Sequence, residues 1–173
     1  MTHRRCFDRI GHLRRDEHPS WTGRLLYGHH MARYVTTIPS SLSPREAFAY
    51  MADLRNFAEW DKGVIKVVQV QGSGAGPESI FDVTVKGAGK STSTLRYITV
   101  EYDEFSNILV RGVNTLFTSV DRITINETAT GCEVIYDATL TANWIIAPVN
   151  IVLGRVFNRI GDTAARGLRA ALA

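Results

Sequence analysis

The sequence predicts an α+β domain: a seven-stranded, curved antiparallel sheet wrapped around one long C-terminal helix, with two short helices between strands 1 and 2. Three observations predict it. Seven β-type runs occupy most of residues 32–141. Short Gly-, Asn- and Asp-rich links join all but the first two, and links that short favour antiparallel neighbours. The last two dozen residues carry an apolar stripe at helical spacing.

The elements follow in order. Residues 32–38 alternate as a strand and end at Pro39. Ser43-Pro44-Arg45-Glu46 then starts a helix: Ser43 caps, Pro44 fits the first helical position, and Glu46 completes a capping box. Ala47, Phe48 and Met51 form its apolar stripe, and a second short helix covers 54–60. Strands are expected at 63–71, 79–86, 91–102, 107–113, 116–126 and 132–141, separated by turn-rich segments that include 72–77, 87–89 and 112–114. In the closing helix, over 149–172, Leu153, Val156, Phe157, Ile160, Ala164 and Leu168 share one face. Arg155, Arg159, Asp162, Arg166 and Arg169 share the other, so the helix must lie against the sheet.

Charge and histidine divide the chain at residue 30. The 173 residues carry a net charge of +3. Residues 1–30 hold six Arg against three acids, whereas 31–173 hold fourteen basic and fourteen acidic residues. The body therefore lacks the basic excess that attracts phosphate backbones, and no nucleic-acid partner is expected. All five His lie at positions 3–30. That excludes a His-based triad or His-ligated zinc in the body, and no metal or cofactor is expected. Acid–base chemistry there must use Asp, Glu, Tyr, Lys or water. Residues 1–30 show no helical periodicity and no signal-peptide core, so they are expected to be a disordered extension or a misassigned start before a single domain over 31–173. Two Cys make no disulfide framework, which favours a reducing cytoplasm. The most apolar stretch, 144–153, is interrupted by Pro148 and Asn150 and is too short to span a bilayer, so no stable membrane insertion is expected.

A bent sheet around one helix leaves a hollow, and alternation assigns side chains to it. Phe81, Val83 and Val85 face inward from the third strand. Cys132, Val134, Tyr136, Ala138 and Leu140 do so from the seventh. Ile123 and Ile125 set the parity of the sixth, which brings Phe117, Ser119 and Asp121 to the same face. The fourth favours Arg96, Ile98, Val100 and Tyr102, with Leu95 and Tyr97 in dispute. The fifth is open between Ile108/Val110 and Leu109/Arg111/Val113, and a bulge would flip either assignment. Trp60, Trp144 and Phe157 complete the expected lining. An inward Asp121 needs a partner, because an unpaired buried acid costs several kcal/mol or neutralises itself; Arg96, Arg111 and the Tyr136 hydroxyl are in range. It serves as a satisfied core group, as an anchor for a ligand hydroxyl or carbonyl, or as a catalytic acid or base alongside Tyr136 and Arg111. Gly87-Ala88-Gly89-Lys90-Ser91-Thr92 ends like a phosphate loop, but Thr84 stands where the pattern needs its first Gly, and a strand follows. Asp53, Glu59 and Asp61 read as a solvated helix face.

Taken in order, several segments are similar to one family. They are the 38–48 entry with Pro44-x-x-Ala47-Phe48, then Asp53-Leu54-x-Asn56-Phe57-x-x-Trp60, then Gly76-Pro77, then Gly131-Cys132-Glu133-Val134, and finally the long closing helix. From about residue 32 to 172 the chain resembles the polyketide cyclase/dehydrase branch of the START-like (SRPBCC, helix-grip) superfamily. Members commonly show Gly-Thr where Gly131-Cys132 stands here. The resemblance implies a deep cavity between sheet and helix for a hydrophobic small molecule such as a lipid, polyketide or quinone. It implies no single chemistry, because fold alone does not choose one. Binding or carriage of such a molecule is the first expectation. A cyclase or dehydratase acting on a poly-β-ketone is the second, and a protein-interaction module presenting the 144–153 edge is the third.

Overall fold

The computed structural model describes residues 31–87, 89–143 and 150–173, with the side chains of 150–156 outside that set. The chain runs β1 (Met31–Ser40), α1 (Pro44–Ala52), a 3-10 turn (Leu54–Asn56), α2 (Phe57–Trp60), β2 (Val64–Gln71), β3 (Ile80–Lys86), β4 (Thr92–Asp103), β5 (Asn107–Val113), β6 (Phe117–Thr128), β7 (Gly131–Ala142) and α3 (Asn150–Ala171). All seven expected strands and the closing helix form, with ends displaced by one or two residues.

Local chemistry explains the entry segment. Ser43 Oγ accepts from the Glu46 backbone N–H at 3.3 Å, and Glu46 Oε2 accepts from the Ser43 N–H at 3.0 Å. With Pro44 at the first helical position, the capping box is complete. The expected second helix divides into a 3-10 turn and a single α turn. Asp53 accepts from the Arg55 N–H and so restarts the backbone there. Pro39 lies inside β1 rather than ending it. An edge strand tolerates the missing donor.

The strands form one antiparallel sheet in the order β1-β7-β6-β5-β4-β3-β2. Five hairpins generate β2 through β7, and β1 then closes against β7. The helices between β1 and β2 therefore cross from one edge of the sheet to the other. α1 lies against β6 and β7, α2 against β2 and α3, and α3 against β1. Register shifts in β2 and after Thr99 in β4 give the sheet its bulges. The core sits between the concave face and the helices. Ile38, Phe81, Val83, Ile108, Val110, Ile123 and Val134 come from the sheet, while Phe48, Met51, Trp60, Leu168 and Leu172 come from the helices.

The bulge at Val100 corrects the β4 assignment. Leu95 and Tyr97 are buried, whereas Arg96, Ile98 and Val100 are exposed on the outer face. The extra residue reverses the parity, so Tyr102 again packs on the core and meets Phe48 edge-on at 5.1 Å. In β5 the Ile108/Val110 alternative holds, and Arg111 points outward and is exposed. Gly112, expected in a turn, lies within β5 and is buried.

Candidate functional site

Among the described residues, Asp121 is the one acidic residue that is buried, at 2% exposure. Its position follows from the parity of β6, where Ser119, Asp121, Ile123 and Ile125 alternate inward. Val110 and Ala138 stand opposite it on the neighbouring strands. Neither Val nor Ala can satisfy a carboxylate, so its partners come from adjacent rows. The Ser119 hydroxyl donates to Oδ1 at 3.2 Å and reaches Oδ2 at 3.4 Å. The hydroxyls of Tyr97 from β4 and Tyr136 from β7 also hydrogen-bond to it.

Tyr97 reaches Asp121 because of the register. It pairs with Gly112, which in turn pairs with Ser119. A Cβ at Gly112 would collide with the Tyr97 ring. A glycine within a strand commonly marks such a close approach. Phe57 meets Tyr97 edge-on at 6.2 Å, Trp60 meets Phe57 at 4.9 Å, and Trp60 meets Tyr136 at 5.5 Å. Four aromatic rings thus form an arc beside the acid. Tyr136 is set deep in this arc yet keeps some accessible surface.

Burial pushes the Asp121 carboxyl up to about 7, although hydrogen bonds from Tyr97, Ser119 and Tyr136 pull it back; the Asp61 charge adds to the rise. Asp61, in the turn after α2, is itself raised by burial, against the Gly63 N–H on its Oδ1 at 2.7 Å and the Lys86 charge. Burial and the Asp121 charge push both tyrosines well above their ordinary range. The cluster is therefore an acid poised near neutrality beside hydroxyls that stay protonated. Such a group can donate to a carbonyl or accept a proton from an acidic carbon.

Other expected lining residues divide. Phe81, Val83, Ile123 and Val134 are buried on the inner face, and Val85 and Phe117 pack against the same core. Trp60 is buried at 2% exposure, and Phe157 is half-buried. Ile98 and Val100 do not belong to the lining, being 40% and 49% exposed on the convex side. Arg96 and Arg111 cannot pair with Asp121 for the same reason, and Arg111 leaves the catalytic candidates. Trp144 lies outside the described residues. Tyr97, Gly112, Phe57 and Asp61 were missed as site residues. The alternation of Leu95 and Tyr97 against Thr94 and Arg96, together with a glycine facing it across the sheet, was the available clue.

Two surface clefts lie elsewhere. One of about 360 Å³ is bounded by Arg45, Phe48, Asp53, Tyr102 and Phe105. The other, of about 520 Å³, is bounded by Ser40, Thr128, Thr130, Cys132 and Glu133. Asp121 lines neither. Among the described residues no cluster of His, Cys, Asp and Glu could hold a metal ion, and no helix is long and apolar enough to cross a membrane.

A bulged antiparallel sheet closed over a C-terminal helix, with short helices bridging its edges, is the START-like helix-grip fold. The chain belongs to the family described as polyketide cyclase / dehydrase and lipid transport, whose model matches residues 31–173. No curated protein matches the sequence. Solved structures resemble the fold at low identity. The Zhui aromatase/cyclase from Streptomyces sp. R1128 is 11% identical, with a TM-score of 0.66 over 83% of this chain and 92% of that one. A START superfamily protein from Mycobacterium smegmatis is 11% identical, with a TM-score of 0.62 over 82% and 96%. The di-domain ARO/CYC StfQ from the steffimycin biosynthetic pathway is 15% identical, with a TM-score of 0.64 over 82% of this chain; the match spans only 50% of StfQ.

Proposed function

We propose that this chain binds a small hydrophobic molecule, such as a lipid, polyketide or quinone, against the inner face of the sheet, with Asp121 orienting its polar end. One observation carries the reading: Asp121, the one buried acid among the described residues, is ringed by three hydroxyls on a mostly apolar and aromatic face. Apolar walls supply affinity, and a few convergent polar groups set orientation. The family description, which includes lipid transport, supports the same reading. Native mass spectrometry of protein purified from its own host, followed by solvent extraction, tests it. A co-purifying apolar molecule is the expected result. Clean protein that also fails to bind any member of a lipid and aromatic panel would overturn it.

A second reading is supported by the protonation state of the cluster. An acid near pH 7 beside two neutral phenols suits enolisation of a poly-β-ketone folded within the sheet, which is cyclase or dehydratase chemistry. The likeness of the fold to the Zhui aromatase/cyclase supports it. On this reading Asp121→Asn and Tyr136→Phe each abolish turnover while leaving ligand affinity within about tenfold. Undiminished turnover in both variants would remove the reading.

A further inference from the structure

The hairpin between β4 and β5 ends in a strained turn. The Ser106 N–H donates to the Asp103 carbonyl at 3.1 Å, and Phe105 stands at the third position with φ +66°. Glycine or asparagine is usual there, because a bulky side chain rarely adopts positive φ. Among the described residues no other non-glycine does so. Backbone strain of this kind clusters at functional sites. Here it places an aromatic ring, 39% exposed, at the cleft of about 360 Å³ between the hairpin and α1. Phe48 meets that ring edge-on at 5.7 Å and meets Tyr102 edge-on at 5.1 Å. The Arg45 guanidinium lies 5.3 Å from the Phe105 centroid. Burial and the nearby Glu104 charge raise the Tyr102 hydroxyl.

Three charged side chains line this cleft. Asp53 is already held by Arg55, whose Nε donates to its two oxygens at 2.8 and 3.0 Å. Arg45 and Glu104 take part in none of the four ion pairs among the described residues. They stand on separate elements, α1 and the hairpin, and do not pair with each other. A guanidinium over a ring keeps its N–H fork available for a carboxylate. A simple anion would meet Glu104 as well as Arg45. A simple cation would meet Arg45 as well as Glu104, and a neutral ring would engage neither. A zwitterion satisfies both. The volume suits one aromatic ring with a short polar head, and the Phe105 and Tyr102 rings offer it apolar cover. We propose that this cleft binds a zwitterionic aromatic amino acid, with Arg45 taking its carboxylate, Glu104 its ammonium, and Phe105 and Tyr102 its ring. Asp121 does not line the cleft, so the site is distinct from the inner face.

Three probes that share a phenylethyl body separate the two charges. L-Phenylalanine, 2-phenylethylamine and 3-phenylpropanoate are titrated into the isotopically labelled full chain at about pH 7 and followed by amide chemical shifts. L-Phenylalanine is expected to bind at least about tenfold tighter than either single-charge analogue. The shifts should centre on Arg45, Phe48, Tyr102 and Phe105. In Arg45→Gln the advantage over 2-phenylethylamine should shrink to within about threefold, and in Glu104→Gln the advantage over 3-phenylpropanoate should do the same. Phe105→Asn suits positive φ and removes the ring, so it should weaken all three probes. No binding of L-phenylalanine, equal binding of the three probes, or shifts centred on the inner face around Asp121 would overturn the proposal. So would a preference for the zwitterion that survives both charge variants. The binding reading of the inner face, tested by co-purification, does not depend on the result.

Discussion

The two faces of one sheet handle charge in opposite ways. Asp82 and Arg96 oppose each other directly on the convex side of β3 and β4, where the arginine side chain is 61% exposed and water does most of the solvating. One residue further along β4, Tyr97 is buried and turns toward an acid that no cation among the described residues balances. The titration directions follow. Asp82, Asp137 and Glu101 are held below their usual range by hydrogen bonds from their arginines, whereas Asp121 and Asp61 are driven up by burial. Charges on the outer face are arranged for solubility and pairing. The inner acid is kept where burial favours its protonated form.

The largest expected effect comes from the helix side of the inner face. Gly167 of α3 packs directly on the backbone carbonyl of Trp60, leaving no room for a Cβ. Trp60 in turn supports both Phe57 and Tyr136. Trp60→Ala should lower unfolding stability by about 3–5 kcal/mol in urea titrations. A loss under about 1 kcal/mol would mean that the aromatic arc is peripheral to the core.

Removing the inner acid should do the reverse at alkaline pH. Below the unfolded carboxylate range both states hold the Asp121 proton. Between about pH 4 and 7 the native state keeps it and the unfolded state loses it, so this contribution to stability falls as pH rises through that window and is flat above it. Asp121→Asn cannot ionise and still accepts hydrogen bonds from the three hydroxyls. It should match the parent near pH 4 and exceed it at pH 8.5 by up to roughly 4 kcal/mol. The convex acids have the opposite sign, because their pairing is lost as pH falls. Subtracting one variant's urea profile from the other cancels them and isolates Asp121. A pH-independent difference would show that Asp121 is not buried as an acid.

Tyr97 depends on Gly112, and a smaller change tests that link. Gly112→Ala places a methyl group against the ring and should cost about 1–3 kcal/mol. It should also raise the Asp121 midpoint, read from its carboxyl carbon by NMR, because the Tyr97 hydroxyl lowers it in the parent. In a Tyr97→Phe background the same substitution should leave that midpoint unmoved.

The order and extent of the elements were legible because strand periodicity, turn residues and the Ser43–Glu46 cap all act locally. Asp121 was legible for the same reason, since Ile123 and Ile125 fix the parity of β6 without reference to any other strand. Tyr97 was not. Its face depends on the extra residue at Val100, and a bulge is a property of two paired strands rather than of one sequence window. Gly112 read as a turn because a strand glycine resembles punctuation until the ring it accommodates is known. Asp61 read as solvated helix surface because the 3-10 break after Asp53 re-aims the short segment that follows. In each case the missing information was a cross-strand or helix-to-sheet contact.

The smallest expected effect tests whether the outer pairs are as weak as their exposure implies. Arg96 Nε and Nη2 each reach a separate oxygen of Asp82 at 2.8 Å, a good bidentate geometry. Water competes for both groups, and salt screens what remains. Arg96→Ala and Asp82→Ala should therefore leave the urea midpoint nearly unchanged, and any residual change should shrink between low salt and about 1 M NaCl. The adjacent inner substitution Tyr97→Phe should instead give a salt-insensitive change, because the hydroxyl it removes is shielded from mobile ions. If the Arg96 and Tyr97 variants respond to salt alike, the contrast between the two faces fails at the strand where it is sharpest.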